Sequence, residues 1–278
     1  MPRLLLIVFG LCFAAAAHCA GADVKLMSFN IRCGSCEQID DVNHWSRRQL
    51  LVVDLIKKSQ ADLIGLQEAE LFQVRDLVAA LADYEFVAAG RDDGKAQGES
   101  TAILYRKSRF SMLAQQTLWL SPTPEVVGKG WDAALNRTAT MVRLKERDSG
   151  AQLVLINSHF DHQGVLARTE STRLLVKLAR AQDVPVVVTG DFNYTKKFPA
   201  YAIIADALND AERVTQKPAE GGDISFNGFG KWIEPGNKID FIFVNAGFDV
   251  LTHAIITDTY QGNYPSDHYA LSATLRLH

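Results

Sequence analysis

Short apolar runs alternate with helix-forming segments along most of this chain, and the alternation limits the folds open to it. The run from Val184 to Thr189 has the length and β-branched composition of a buried strand. The segment 43–60 has the spacing of an amphipathic helix, with Asn43 expected as its N-cap and Leu50 on its buried side. Strand, helix and hairpin patterns mixed in this way predict a four-layered α/β sandwich, with two mixed β-sheets face to face and flanked by helices.

The first 22 residues differ from the rest. One arginine precedes an apolar run, and small residues follow, with Ala20 and Ala22 at the spacing of a signal-peptidase site. This pattern predicts a cleaved signal peptide at 1–22, a single domain at 23–278, and a periplasmic or secreted protein. No later segment is apolar enough to cross a bilayer. We therefore expect no stable membrane anchor. The expected oligomeric state is a monomer.

Two cysteines, Cys33 and Cys36, remain after the predicted signal peptide. Export makes a disulfide between them the expected state, because disulfides form and persist in oxidising compartments. A zinc site would need two further ligands, and the sequence has no second cysteine pair. The chain has 29 Lys and Arg against 32 Asp and Glu, so its overall charge does not favour general nucleic-acid binding.

Polar side chains stand at the ends of several predicted strands. Asp191 and Asn193 follow the strand that ends at Thr189, and residues two apart on extended backbone share a face. The other polar residues at strand ends, strand starts or inside a strand are Asn30, Glu68, Tyr105, Asn157, His159, Asp240, Asp267 and His268. Each one alone is typical of a turn or of a hydrogen-bonded structural group. Their recurrence favours one shared crevice, because strand ends of layered α/β folds converge.

In chain order, the motifs SFNIR, IGLQE, ILYR, NSHFDH, TGDFN, KIDFIF and YPSDH resemble those of the endonuclease/exonuclease/phosphatase superfamily. These are metal-dependent phosphoesterases related to pancreatic-type deoxyribonuclease, and the resemblance spans residues 24–276. It is nearer to bacterial hydrolases grouped with the carbon-catabolite-repressor deadenylases, through NSHFDHQG, ARTEST, GRDDG and GWDAALNRTAT. The resemblance implies the same four-layered sandwich, a Mg²⁺ cofactor that Mn²⁺ can replace, and hydrolysis without a covalent intermediate.

The resemblance and the chemistry of oxygen ligands together imply a metal centre and a base. Glu68 is expected to be the main Mg²⁺ ligand, with Asn30 and Asp267 completing or supporting the site. Asp191 would orient and deprotonate the attacking water. Asn193 would help to hold that water or a phosphoryl oxygen.

The remaining catalytic roles concern charge on the phosphoryl group. His268, oriented by Asp240, would donate hydrogen bonds to the charge that develops there, and His159 would do so from the opposite side. Tyr105 is expected to donate a hydrogen bond to a non-bridging oxygen or to assist the leaving group.

Substrate contacts are expected from residues around this set. Arg168, in ARTEST, would add positive charge near the phosphate, and Asn157 is assigned to substrate binding. Phe226, Phe229 and Trp232 lie in ISFNGFGKWIEPGNK. They could stack a nucleobase or touch a lipid headgroup, and packing on the body of the domain explains them equally well. Trp131 could frame a substrate pocket or anchor its own loop.

The sequence thus predicts an exported, Mg²⁺-dependent phosphoester hydrolase. The leading substrate is single-stranded RNA or a short oligonucleotide, cut by a nuclease of the 3′–5′ exonuclease type, or a nucleotide cut by a phosphodiesterase. Scattered basic residues favour such substrates over long duplex DNA. The alternative is a lipid or sugar-phosphate phosphoesterase, such as a sphingomyelinase-like enzyme. A non-catalytic binding module of the same fold would have lost strand-end residues, which are all present here.

Overall fold

The computed structural model describes residues 23–278, so the predicted signal peptide at 1–22 lies outside the described residues. The strands are β1 (Asp23–Asn30), β2 (Leu63–Gln67), β3 (Ala69–Glu70), β4 (Tyr84–Val87), β5 (Glu99–Ser100), β6 (Ile103–Arg106), β7 (Phe110–Trp119), β8 (Thr138–Glu146), β9 (Gln152–His159), β10 (Val186–Asp191), β11 (Asn209–Asp210), β12 (Asp240–Val244), β13 (Phe248–Ile256) and β14 (Ala270–Leu277). The helices are α1 (Trp45–Ser59), α2 (Leu71–Ala80), α3 (Val165–Arg180), α4 (Pro199–Ala205) and α5 (Ala211–Val214). None of these helices is long and apolar enough to span a membrane.

Two six-stranded sheets form the centre of the fold. The first has the order β13-β14-β1-β2-β6-β4 and the second the order β11-β12-β10-β9-β8-β7, while β3 and β5 form a separate short pair. Both large sheets are mixed, because β1 and β2 run parallel, as do β9 and β10, and the other neighbours run antiparallel. The predicted fold class is confirmed.

Three hydrophobic clusters hold the four layers together. One lies between the sheets, the second joins the first sheet to α1 and α2, and the third joins the second sheet to α3 and α4. The neighbouring residues Leu26 and Met27 on β1 belong to different clusters, because successive side chains of a strand point to opposite faces. Both faces of each sheet are therefore buried, which explains the nearly continuous apolar runs in the sequence.

Helix α1 differs from its prediction at two positions. The N-cap is His44 rather than Asn43, and the His44 side chain accepts a hydrogen bond from the backbone N–H of Ser46. Leu50, predicted to be buried, is 69% exposed. The buried stripe follows three- and four-residue steps that turn Leu50 to solvent, through Trp45, Arg48, Val52 and Ile56.

A polar layer is buried between the two sheets, below the ends of the strands. Asn157 on β9 is fully buried, and its Oδ1 accepts hydrogen bonds from Gln67 Nε2 (2.6 Å) and Thr189 Oγ1 (3.0 Å). Its Nδ2 donates to the backbone oxygens of Leu66 (2.7 Å) and Ala102 (3.0 Å). Both ends of this amide are used within the protein, so the predicted substrate contact of Asn157 is wrong. Its role is to join the two sheets.

The sheets approach each other closely at this level because β2 carries a glycine there. A Cβ atom on Gly65 would lie 2.4 Å from Thr189 Oγ1 and 2.7 Å from Asn157 Oδ1. Both separations are far below van der Waals contact. Any other residue at position 65 would push the second sheet away and break the hydrogen bonds of Asn157.

Asn157→Ala is expected to lower the free energy of unfolding by about 2–4 kcal/mol, because it leaves buried partners in both sheets without hydrogen bonds. Chemical denaturation measures the change. Asn209→Ala, at an exposed position of β11, is the matched control and should change stability by less than about 0.5 kcal/mol. Unchanged stability together with a raised KM would contradict the structural role.

Candidate active site

A cleft of about 370 Å³ opens where strands of both large sheets end. Its lining comes from both sheets and from the loops between them: Arg32, Cys33, Cys36, Glu68, Glu99, Leu135, Arg137, His159, His162, Asp191, Asn193, Phe226, Ile239, Asp267 and His268. The sequence analysis had assigned catalytic or metal-binding roles to six of these, namely Glu68, His159, Asp191, Asn193, Asp267 and His268. The structure therefore brings most of the predicted centre together.

Strand register explains the convergence. Parallel pairing of β9 and β10 sets His159 beside Asp191, and antiparallel pairing of β10 and β12 sets Asp240 on the other side. Paired residues of neighbouring strands point to the same face, so the three side chains face one volume. In the first sheet, Asn30 pairs with Gln67, the last residue of β2. This pairing places Glu68, the residue after the strand, at the same edge.

Three residues that line the cleft have left-handed backbone conformations. The φ angles are 59° at Arg32, 57° at Glu68 and 50° at Asn193, and such a conformation costs an ordinary residue about 1 kcal/mol or more. Hydrogen bonds hold the first of these turns, since the carbonyl oxygen of Arg32 accepts from Arg48 Nη2 at 2.8 Å and from Gln73 Nε2 at 2.9 Å. The turns direct the side chains that follow the strands back into the cleft.

Asn30 connects the two central carboxylates. Its Nδ2 donates to Glu68 Oε1 at 3.1 Å and to Asp191 Oδ2 at 3.0 Å, while its Oδ1 accepts from the backbone N–H of Arg32 at 3.0 Å. Asn30 thus supports the carboxylates with its N–H groups. Glu68, Asp191 and His268 each place one potential ligand atom within 4.8 Å of the others.

The charges at this point fit a divalent cation. Burial raises the pKa of Asp191 to about 7 and also raises the pKa of Asp267. Burial acts in the same direction on Glu68, but the positive charges of Arg32 and His268 outweigh it and lower the pKa of Glu68. A cation relieves the repulsion between buried carboxylates, and carboxylate oxygens are the ligands that Mg²⁺ takes. Glu68 and Asp267 are the residues that would hold it.

Cys33 and Cys36 are joined by a disulfide, as predicted. The closed loop lies beside the Glu68 carboxylate, since the backbone N–H of Cys33 donates to Glu68 Oε2 at 3.3 Å. Glu37, directly after the loop, accepts from Arg32 Nε at 2.9 Å. The two sulfur atoms lie near Glu68, but their covalent bond removes them as metal ligands. The loop instead fixes one wall of the cleft.

Two of the three histidines that line the cleft, His268 and His159, differ in charge. His268 Nδ1 lies 2.8 Å from Asp240 Oδ2, and its Nε2 lies 3.7 Å from Asp191 Oδ2. Burial lowers the pKa of His268, but the two aspartates outweigh burial and raise it to about 10. For His159, burial and the positive charge of Arg137 lower the pKa well below its usual range. One wall therefore carries an imidazolium and the other a neutral imidazole.

Arg137 is a functional residue that the sequence analysis missed. It is buried just before β8, and its Nη1 lies 3.0 Å from His159 Nδ1 while its Nη2 lies 3.1 Å from His162 Nδ1. A guanidinium only donates, so it holds both rings as acceptors. Arg32, also missed, lies 3.7 Å from Glu68 Oε2. The sequence signal that could have found them was a basic residue next to a predicted strand: Arg137 in NRTAT and Arg32 in SFNIR.

Tyr105 does not reach the cleft, so its predicted contact with a phosphoryl oxygen or leaving group is wrong. Strand β6 runs antiparallel to β2 and pairs Tyr105 with Leu63, at the opposite end of β2 from Glu68. The hydroxyl of Tyr105 donates to Glu85 Oε2 at 2.5 Å. Because β6 runs antiparallel to β2, its last residues lie beside the start of β2, away from the cleft. The sequence alone did not reveal the direction of β6.

Arg168 and Trp131, both predicted to contact substrate, are not among the residues that line the cleft. Arg168 Nη1 donates to the backbone oxygen of Asp161 at 3.1 Å, and its guanidinium lies 5.2 Å from the ring centre of Phe198. Trp131 is partly buried in the loop between β7 and β8. Arg168 therefore stabilises the start of α3, and Trp131 belongs to its own loop.

Of the three aromatic residues predicted to contact substrate in the segment before β12, only one lines the cleft. Phe226 lines the cleft, with its ring 5.0 Å from the ring of His268 in an edge-to-face arrangement. Phe229 lies 5.8 Å from the guanidinium of Arg48 instead, and Trp232 is 56% exposed. Neither of these two lines the cleft, so their predicted stacking on a substrate within it is not supported.

Comparison with known proteins finds one family that covers nearly all of the described chain. The chain matches the Endonuclease/Exonuclease/phosphatase family over residues 27–268. Among curated relatives, Nocturnin of Drosophila melanogaster is 25% identical over an alignment that covers 94% of this chain and 48% of that protein. The chain thus spans about half the length of this relative.

Two solved structures are more similar in sequence. An endonuclease/exonuclease/phosphatase of Bacteroides vulgatus is 36% identical, with a TM-score of 0.87 over 92% of this chain and 100% of that chain. The mannosyl-6-phosphatase of Bacteroides thetaiotaomicron is 31% identical, with a TM-score of 0.83 over 91% of this chain and 99% of that chain. The human Nocturnin catalytic domain, 18% identical with a TM-score of 0.72 over 92% of this chain and 95% of that chain, shares the fold.

Glu68→Gln is expected to remove metal-dependent turnover, because the amide keeps the shape of the side chain but loses the charge that holds a cation. Asp191→Asn and His268→Ala should each lower kcat about 10²- to 10⁴-fold, and Asp240→Asn should lower it less, because Asp240 acts through His268. Turnover and thermal unfolding with and without Mg²⁺ measure these effects.

Glu125→Gln, at an exposed position, is the control and should match the wild type. Normal turnover of the Glu68 variant at saturating Mg²⁺ would show that the metal is held elsewhere.

Proposed function

The chain belongs to the endonuclease/exonuclease/phosphatase family, whose members are metal-dependent phosphoester hydrolases, and we propose that it removes phosphate from a small phosphorylated sugar or polyol with Mg²⁺ as cofactor. The family includes enzymes named as a phosphatase and as Nocturnin. The reaction class is therefore common to the family, while the substrate and the ion are this proposal.

The observation that carries the proposal is the size and lining of the cleft. Its volume of about 370 Å³ is near the lower end of the range for small-molecule sites. The cationic groups, Arg32 and Arg137, lie at its walls, and Leu135 and Phe226 supply apolar contact. A phosphate and one attached polyol fit this description better than a chain of stacked bases, because Phe229 and Trp232 lie outside the cleft.

When bound, the divalent ion would offset phosphate charge and stabilise the leaving oxygen. Glu68, with Asp267 beside it, would hold that ion, and Asn30 keeps the Glu68 carboxylate in place through its N–H donor. Asn30 and Asp267 are nearly enclosed by protein, so little water competes with the carboxylates for the ion.

The residues of this chain would then carry the proton and hold the phosphoryl group. Asp191, with its pKa raised to about 7, is matched to accepting a proton from the attacking water near neutral pH. Asn193 Nδ2 lies 3.1 Å from His159 Nε2, beside the position of the attacking water. The His268 imidazolium would stabilise the charge that develops on the phosphoryl oxygens, and Asp240 keeps that ring charged and oriented.

A nucleotide or an oligonucleotide is the second candidate, and the similarity to Nocturnin favours it. The exposed ring of Trp232 could stack a base outside the cleft. This candidate keeps the same metal ion and the same general base, Asp191. It differs in one requirement: truncation of the Trp232 side chain should weaken substrate binding.

We also propose that the protein works in an oxidising compartment. The Cys33–Cys36 disulfide supports this, because intracellular thiols are normally kept reduced. The sequence pattern of a signal peptide at 1–22 agrees with it. Export would place the enzyme where phosphorylated sugars and nucleotides arrive from outside the cell.

The purified protein should hydrolyse hexose phosphates and glycerol phosphate in the presence of Mg²⁺, should lose activity in EDTA and should regain it with Mg²⁺ or Mn²⁺. Released phosphate measures the rate on these substrates, on mononucleotides, and on single-stranded RNA and DNA after separation of products. Rates on small substrates should change little with salt, because few phosphate contacts are made.

A strong preference for RNA that Trp232→Ala removes would support the second candidate instead. Gln116→Ala, on the partly exposed middle of β7 and far from the aromatic segment, is a suitable control for that truncation. Activity on none of these phosphoesters would contradict both candidates.

A further inference from the structure

The two sulfur atoms of the disulfide loop lie at the edge of the metal centre. Cys33 and Cys36 both line the cleft, and Cys33 is buried while Cys36 is exposed. Their spacing, C-x-x-C, is the spacing in which two cysteines commonly bind one Zn²⁺. While the sulfurs are bonded to each other, neither is a metal ligand. The disulfide therefore closes one half of a zinc site.

The structure supplies a further ligand that the sequence pattern lacks. Both sulfur atoms and a carboxylate oxygen of Glu68 lie within 4.8 Å of one another. Glu68 follows β2 and the cysteines follow β1, so the parallel pairing of these strands brings the three together. Three protein ligands with water in the fourth position are the usual number in an open zinc site. Two thiolates and Glu68 would complete such a set.

Non-covalent contacts hold the loop independently of the disulfide. The backbone N–H of Ser35 donates to Glu70 Oε2 at 2.8 Å, and the Ser35 hydroxyl donates to Glu70 Oε1 at 2.8 Å. Gly34 packs against α2 so closely that a Cβ there would lie 2.4 Å from the ring of Phe72. These contacts remain when the sulfur–sulfur bond is broken. The thiols of the reduced protein would therefore stay beside Glu68.

The backbone of the loop also has the right dimensions for zinc. Zn–S bonds of about 2.3 Å in a tetrahedral site place two sulfurs about 3.8 Å apart. The Cα atoms of Cys33 and Cys36 are 5.4 Å apart, so rotation of the two side chains provides that separation on an unchanged backbone. The site therefore needs reduction but no refolding.

We propose that reduction of the Cys33–Cys36 disulfide opens a Zn²⁺ site formed by both sulfurs and Glu68, and that the intact disulfide keeps Zn²⁺ out of this part of the cleft. The proposal goes beyond the proposed function, because it concerns a second metal and involves no substrate. Mg²⁺ takes oxygen ligands, whereas thiolates select softer ions such as Zn²⁺. Since both ions would use Glu68, the disulfide would make the cleft selective for Mg²⁺.

The chemistry requires a dithiol as reductant. One thiolate of the dithiol attacks the exposed sulfur of Cys36, and the sulfur of Cys33 leaves as a thiolate. The second thiol of the reductant then displaces Cys36, so the reductant ends as a cyclic disulfide and the protein as two thiols. Zn²⁺ binding releases the thiol protons that remain.

Zinc binding to the reduced and oxidised forms of the purified protein tests the proposal. The protein is reduced with dithiothreitol and separated from it by gel filtration without oxygen, and a thiol-reactive dye confirms the reduction. Competition with a chromogenic chelator in excess Mg²⁺ measures the affinity for Zn²⁺. The reduced protein should bind Zn²⁺ at least about 100-fold more tightly, since losing a group that merely supports a ligand already costs about 10- to 100-fold.

Co²⁺ in place of Zn²⁺ gives a spectroscopic readout of the ligands. A charge-transfer band from thiolate to cobalt should appear in the reduced protein and not in the oxidised protein. The band should weaken in Cys36→Ser and vanish in the Cys33→Ser/Cys36→Ser double variant. Glu68→Gln should lower the Zn²⁺ affinity of the reduced protein at least about 10-fold, whereas Glu125→Gln, which replaces an exposed carboxylate, is the matched control and should not change it.

The opposite outcomes overturn the proposal. Equal Zn²⁺ affinity in both redox states would place the ion on Glu68, Asp191 and His268, the other cluster of ligand atoms in the described chain. A cobalt band that persists in the double variant would come from other thiols, and an unchanged affinity in Glu68→Gln would remove the carboxylate from the site. Loss of the native circular dichroism on reduction would show that the loop depends on the disulfide. Each result is independent of the proposed function, because no measurement involves a substrate.

Discussion

The cleft depends on one amide that does not face it. Asn157 uses its oxygen and both N–H donors to join strands of the two sheets, and Gly65 leaves the space that this contact needs. The distance and register between the sheets are therefore fixed one step below the strand ends. Asn30 ends β1 and Glu68 directly follows β2, both in the first sheet, while His159 and Asp191 end strands of the second. Without a fixed separation these four would not form one centre.

Above this layer, the centre is held by opposed charges in a poorly hydrated space. Asp191 faces an imidazolium, His268, on one side and a neutral imidazole, His159, on the other. Asp240 favours the charged form of His268, and Arg137 favours the neutral form of His159. The pKa values of chemically identical groups are thus driven apart by their neighbours, which is how one site can provide both an acceptor and a donor near neutral pH.

The edge of the cleft determines what can enter. The disulfide loop fixes Arg32 on one wall, through Glu37, and the loop before β5 fixes Glu99 on the other. Phe226, rather than the exposed Trp232 of the same segment, contacts the centre. The walls therefore combine two fixed charges with apolar surface.

The sequence by itself determined the layers and most of the centre. Apolar runs that end in Glu68, His159 and Asp191, and a last one that follows Asp267, were sufficient, because parallel neighbours and short connections bring such ends to one edge. Tertiary structure decided three further matters. An antiparallel direction placed Tyr105 at the far edge, and depth between the sheets turned Asn157 from a ligand contact into a structural clamp. Contacts from distant segments also made Arg137 and Glu99 part of the cleft. Strand direction, depth and long-range pairing are properties of the packed sheets, and local sequence does not encode them separately.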